Sequence, residues 1–69
     1  MADIYKRFGE QVKKIRKEKS MTQERLAELI DRDPRTIVAI EAGDRNPTLN
    51  TIYKIAQALK ITLTELFKF

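Results

Sequence analysis

The chain has no cysteine, no histidine and no tryptophan, and only two glycines and two prolines among its 69 residues. Without cysteine there is no disulfide, no thiolate metal site and no nucleophilic thiol. Without histidine there is no imidazole base, no zinc or transition-metal cluster of the usual ligands, and no side chain that titrates near neutrality. No metal, cofactor or small-molecule ligand is indicated, and the expectation is a binding protein, not an enzyme. Long apolar runs are missing too: no stretch approaches the roughly 20 residues that cross a bilayer, and the opening Met-Ala-Asp-Ile has no signal-peptide core. The cytoplasm is the default location. What is present, 42% hydrophobic and 35% charged residues, fits a compact helical domain better than a disordered or fibrous chain. The length allows one domain, taken as residues 1–69. Its small core buries only about 60% of the surface that the unfolded chain exposes, so a lone copy has modest stability.

The net charge is +4, and its placement is uneven. Residues 1–20 hold seven basic side chains (Lys6, Arg7, Lys13, Lys14, Arg16, Lys17, Lys19) against three acidic ones (Asp3, Glu10, Glu18), whereas residues 21–69 hold seven of each sign. A local basic surface of this kind suits a polyanion such as DNA; the bland alternative is a solvated helix face.

Periodicity and cap residues divide the chain into five short helices. Ile4, Phe8, Val12 and Ile15 fall on one face of a helix over about residues 3–18. Thr22 caps a second helix beginning at Gln23, with Leu26, Ala27 and Ile30 on its inner stripe and Leu29 to one side. Asp33-Pro34 reads as an N-cap followed by proline at the first helical position, opening a third helix that places Ile37 and Ile40 inward and ends at Gly43. Asp44-Arg45-Asn46-Pro47 is the longest loop signal. Thr48 caps a fourth helix with Ile52, Ile55, Ala56 and Leu59 inward and Leu49 packing at its start; Thr62-Leu63-Thr64-Glu65 has the spacing of a capping box for a last turn. No strand candidate competes.

Residues 23–42 carry the functional signal: two short helices joined by a turn too tight to let them lie antiparallel, so they must cross steeply. An α-helix with its side chains is about 10–12 Å across and the major groove of DNA about 12 Å wide, so the second helix of such a pair can enter the groove. With Ile37 and Ile40 anchored on the core, Pro34, Arg35, Val38 and Ala39 are the positions left to meet base edges.

Several blocks then stand in a familiar order and spacing: Phe8-Gly9-Glu10-Gln11-Val12-Lys13-Lys14-Ile15-Arg16, Met21-Thr22-Gln23-Glu24-Arg25-Leu26-Ala27, Thr36-Ile37-Val38-Ala39-Ile40-Glu41-Ala42-Gly43, Arg45-Asn46-Pro47-Thr48-Leu49, Ile55-Ala56-Gln57-Ala58-Leu59 and Leu66-Phe67. Through them the chain resembles, over nearly its whole length, the Cro/C1-type or xenobiotic-response-element (XRE) helix-turn-helix family of the lambda-type and 434-type phage repressors. The resemblance implies an all-α, compact five-helix, lambda-repressor-like domain whose helix-turn-helix proper is residues 23–42. It implies sequence-specific recognition of double-stranded DNA by a transcriptional regulator, a repressor or autoregulator that works by placement alone. Small Cro-like, restriction-modification controller and antitoxin-type regulators are resembled equally well.

Carried over position by position, the resemblance implies phosphate contacts from Gln23, at a helix N-terminus that favours an anion, and from Thr36, which can alternatively serve as a local cap. Arg45 and Asn46 fit the family's backbone-contacting loop. Arg35 is the main candidate for base readout, since a guanidinium can donate two parallel hydrogen bonds to guanine O6 and N7; Val38 and Ala39 offer apolar contact and Pro34 shapes the helix start. Arg16 and Glu41 coincide with a basic and acidic pair that ties the first helix to the end of the third. Three residues depart from the family pattern: Asp31 and Lys60 stand where glycine commonly adopts a left-handed backbone, and Arg32 stands at a usually apolar turn position, from which it can reach phosphate.

One small module buries too little surface for high specificity, so a homodimer reading an inverted repeat is expected, with Leu63, Phe67 and Phe69 as interface candidates. Ending at Phe69, the chain is expected to lack a ligand-sensing second domain. The alternative is a protein-interaction module, antitoxin-like, in which Leu29, Tyr53 and the C-terminal apolar residues bind a protein partner. A membrane-surface role for residues 3–19 is disfavoured because Phe8, Val12 and Ile15 belong to the core.

Overall fold

In the computed structural model, which describes residues 3–69, the helices are α1 (Ile4–Glu18), α2 (Gln23–Leu29), α3 (Pro34–Ala42), α4 (Leu49–Leu59) and α5 (Leu63–Leu66), with no strand among the described residues. Met1 and Ala2, the start of the range 1–69, lie outside them. None of these helices is long and apolar enough to cross a membrane.

Each helix opens on a side chain that accepts from amides left free by the first turn. Thr22 Oγ1 accepts from the Arg25 amide at 3.0 Å, Asp33 Oδ1 from Arg35 at 2.8 Å and Thr48 Oγ1 from Thr51 at 3.1 Å. At α5 the bonds are reciprocal: Thr62 Oγ1 accepts from the Glu65 amide at 3.0 Å and Glu65 Oε1 from the Thr62 amide at 3.1 Å. Gly43 ends α3 with φ 79°, and the Asp44 amide reaches back to the Ala39 carbonyl. Asp31 and Lys60 take the same left-handed conformation at φ 57°, and Ser20 does so at 55°, so side chains here accept the strain that glycine avoids.

One core gathers Phe8, Val12 and Ile15 of α1, Leu26 and Ala27 of α2 with Ile30 just beyond, Ile37 and Ile40 of α3, Ile55, Ala56 and Leu59 of α4, and Leu66 of α5. Three expected members are absent from it: Ile52 is only partly buried and packs against its edge, and Ile4 and Leu49 lie further out. Ile4 is 51% exposed, although it continues the Phe8 stripe. Around Lys6 helix α1 meets Gly43, the residue that ends α3, and Ile4, the first residue of α1, lies before that contact. Leu49 is 77% exposed rather than packed: it is the first residue of α4, past the edge of the core, and Thr51 takes the buried place nearby. The α1–α3 crossing is very close. A Cβ on Gly9 would lie 2.2 Å from the Ile40 carbonyl oxygen and 2.8 Å from that of Glu41, so only glycine fits.

Beside this crossing lies a buried polar cluster. Arg16 Nε donates to Glu41 Oε2 at 2.7 Å and Nη2 to Oε1 at 3.0 Å, with both residues 7% exposed. Arg16 Nη1 donates to the Met21 carbonyl at 2.7 Å, and Gln23 Nε2 donates to Glu41 Oε1 at 3.0 Å. Glu41 thus fastens α1 and the start of α2 to the end of α3, and its bond to Arg16 raises the guanidinium pKa further. No buried side-chain nitrogen or oxygen among the described residues lacks a partner.

Glu41→Ala strands the Arg16 charge and is expected to cost about 3–5 kcal/mol in urea unfolding, while the double change Arg16→Met with Glu41→Leu recovers most of the loss. Acid acts through the helix caps. The Arg35 guanidinium and amide hold the Asp33 carboxyl down to about 2, and the Thr62 amide and hydroxyl lower that of Glu65. Because both groups bind protons less readily folded than unfolded, their contribution is complete above the ordinary carboxylate range and is lost as pH falls through it, for Asp33 toward about 2. Urea midpoints measured from about pH 5 down to about pH 2 are expected to decline, and Asp33→Asn to flatten part of that decline.

Candidate nucleic-acid interface

The turn between α2 and α3 is closed by its own backbone. The Asp31 amide donates to the Glu28 carbonyl at 3.1 Å and the Arg32 amide to that of Ala27 at 2.9 Å, while Ala27, fully buried, lets α2 and α3 approach. On its inner side α3 is held by Ile37, Ile40 and Glu41. Its opposite side is bare: Pro34 and Arg35 are exposed, Val38 is 49% exposed and Ala39 is half-buried. With nine residues α3 is roughly 14 Å long, enough to lie across a major groove.

Arg35 is not free on this surface. Its side chain is 91% exposed, yet its Nε donates to Asp33 Oδ1 at 3.1 Å and its Nη2 to Oδ2 at 3.0 Å, which raises its pKa as it lowers that of Asp33. The carboxylate that caps α3 therefore also clamps the one cation among the outward positions.

Arg32, Thr36, Arg45 and Asn46 come together around a single cleft of about 270 Å³ between α3 and the loop leading to α4, with Pro47, Thr48 and Thr51 completing its wall. Two arginines and three hydroxyl-bearing residues make it a donor-rich, cationic concavity suited to an anion such as a phosphate. Gln23 is separate from this group. It sits at the start of α2, bonded to Glu41 in the last turn of α3, and its amide keeps a second N–H for an outside acceptor. Arg16 and Glu41 lie beneath the surface as the buried pair that positions α3.

The three C-terminal candidates share another face. Phe67 stacks on Phe8 with ring centres 5.2 Å apart, Phe69 lies 6.1 Å from Phe67, and Arg7 sits over the Phe69 ring at 5.2 Å. Phe67 and Phe69 are thus partly occupied in packing against α1, while Leu63, Phe67 and Phe69 each keep a large exposed area. Leu29 and Tyr53 are exposed as well.

Two residues escaped the sequence reading. Gln11 Nε2 donates to the carbonyls of Glu65 at 3.1 Å and Lys68 at 3.3 Å, tying α1 to the C-terminal segment; a long polar side chain on a helix gives no sign of a partner more than fifty residues away. Thr51 is buried in the cleft wall and accepts from the Thr48 hydroxyl at 3.0 Å. Its signal is the Thr-x-x-Thr spacing at the start of α4.

Residues 12–66 match the model of a helix-turn-helix family. Among curated proteins, the control protein C.MunI of Mycoplasma sp is 48% identical over 68 residues, covering 97% of this chain and 92% of its own. Among solved structures, the restriction-modification controller protein C.AhdI from Aeromonas hydrophila superposes with a TM-score of 0.87 at 39% identity, over 96% of this chain and 98% of that one. The controller protein C.Esp1396I, solved as a tetramer in complex with its natural 35-base-pair operator, superposes with a TM-score of 0.88 at 32% identity, over 99% and 90% of the two chains. The family match, the extent of these likenesses and the helix-turn-helix geometry agree: this chain belongs to the Cro/C1-type (XRE) helix-turn-helix family of DNA-binding transcription regulators, and it is not an enzyme.

Proposed function

We propose that residues 1–69 act as one helix-turn-helix unit that reads a specific duplex DNA sequence as a homodimer, with α3 in the major groove of each half-site of an inverted repeat. The observation that carries this reading is α3 itself: it is fixed from beneath by Ile37, Ile40 and Glu41, bare on its outer side, and next to the donor-rich Arg32–Arg45 cleft. Arg35 reads a base, Val38 and Ala39 make apolar contact with base edges, and Pro34 sets the helix start. Gln23, Thr36, Arg32, Arg45 and Asn46 hold the phosphates on either side and so fix the register without reading sequence.

The output is control of transcription by occupancy, as repressor or autoregulator, in the cytoplasm of a bacterial cell or a phage-infected one. The likeness to controller proteins, one of them solved on its operator as a tetramer, supports both the operator reading and assembly from several copies. Leu63, Phe67 and Phe69, the apolar residues left exposed around α5, form the contact between the two protomers.

Selection of bound duplexes from a random pool at about physiological salt is expected to enrich an inverted repeat with half-site centres about 10 base pairs apart. No enrichment by the folded protein refutes the reading. On the enriched duplex, Arg35→Ala is expected to weaken binding about five- to 150-fold and to relax preference at one base pair per half-site. Arg45→Ala weakens binding to all duplexes alike and lowers the slope of log affinity against log salt by about one. Sedimentation of the wild-type protein at tens of micromolar is expected to give a dimer mass; a monomer mass removes the interface.

A further inference from the structure

The unit Asp33-Pro34-Arg35 does more than begin a helix. A guanidinium has five N–H donors in a fixed plane, and Asp33 engages two of them, on Nε and Nη2, through both of its carboxylate oxygens. That leaves one N–H on Nη2 and two on Nη1, so the far edge of the plane still presents two parallel donors. The carboxylate is itself anchored, because Oδ1 also accepts the Arg35 amide at 2.8 Å, and the intervening Pro34 fixes the backbone between cap and cation. Asp33 is ionised throughout the neutral range, its carboxyl lying at about 2. No other hydrogen bond or ion pair of the described residues holds the Arg35 side chain.

We propose, resting on the reading of Arg35 as the base-contacting residue, that Asp33 is a positioning residue for recognition: it clamps one edge of the Arg35 guanidinium and so presents the other as a ready-made pair of donors to guanine. Guanine alone shows two acceptors, O6 and N7, on its major-groove edge, so a guanidinium held edge-on selects it. An arginine without the clamp is a long, flexible cation at the DNA surface, drawn as readily to a phosphate as to a base. In free protein the exposed pair has little worth, because water competes for both charges. Its value lies in the orientation it supplies when the groove excludes that water, since an immobilised side chain has less freedom left to lose.

The test uses the duplex enriched from the random pool and three versions of it in which the Arg35-dependent base pair is changed. Asp33→Ser and Asp33→Asn keep a good N-cap, and thermal melting establishes that both variants fold. Wild type is expected to prefer guanine about five- to 150-fold, and Asp33→Ser to cut that preference about tenfold at this pair and at no other. Asp33→Asn, which keeps one acceptor, falls between the two. In an Arg35→Ala background the Asp33→Ser change is expected to leave base preference unaltered. A preference that survives Asp33→Ser while binding tightens equally on every duplex overturns the clamp, because Asp33 then acts only as a repelling charge. So does a loss of preference that Asp33→Ser still produces without Arg35. If Arg35→Ala leaves the wild-type preference in place, the base-reading role itself fails, and that result is distinguishable from failure of the clamp alone.

Discussion

The position of the third helix depends on one buried carboxylate. Glu41 receives two donors from Arg16 and one from Gln23, so helices that meet the core at different angles are referred to a single pair of oxygens. Beneath it the Gly9 crossing brings α1 against the backbone of α3 with no room for a methyl group. Apolar packing alone leaves short helices some freedom to slide, since a contact between aliphatic surfaces has no preferred direction. Bidentate hydrogen bonds do have one. The association of this ion pair with the close helix crossing at Gly9 is what turns a small oily core into a fixed platform.

On that platform the work is divided by chemistry. The inner side of α3 is aliphatic except for Glu41, and its outer side carries the exposed residues. Cationic and hydroxyl groups collect in the cleft between α3 and the loop before α4, whereas the three phenylalanine rings pack on one another, Phe67 between Phe8 and Phe69. The cleft and the aromatic cluster thus share no side chain. The large positive surplus of residues 1–20 contributes chiefly by field: Lys6, Lys13, Lys14, Lys17 and Lys19 are all exposed, and Arg16 alone is drawn inward.

Much of this was legible in the sequence, because helices of this length are written in two local codes. Periodicity shows which face is buried, and a Thr or Asp before it shows where the helix starts; both codes worked at α2 and α3, and the cap alone at α5. Periodicity fails where a neighbour ends. Ile4 and Leu49 obey the stripe of their own helices but overhang the core, a fact that depends on the length of another element. The close crossing at Gly9 leaves a faint trace, a glycine in mid-helix at a cost of about 1 kcal/mol relative to alanine, without naming what it accommodates. Among the candidate site residues, sequence supplies names and structure supplies grouping: four share a cleft, Gln23 stands with Glu41, and Arg35 folds onto Asp33. That last contact spans two residues, outside the three- and four-residue spacings that helical patterning examines, so only the geometry of the cap discloses it.

The outward side chains of α3 hold nothing else in place. Val38 is exposed, and Arg35 touches only the cap of its own helix, whereas every bond that locates α3 belongs to residues on its other side. Exchanging an outward side chain such as Val38 therefore breaks none of the bonds that locate α3, whereas exchanging the inner ones forfeits the scaffold. On the proposed reading, a domain partitioned in this way can change its preferred target through outward substitutions that leave those bonds intact.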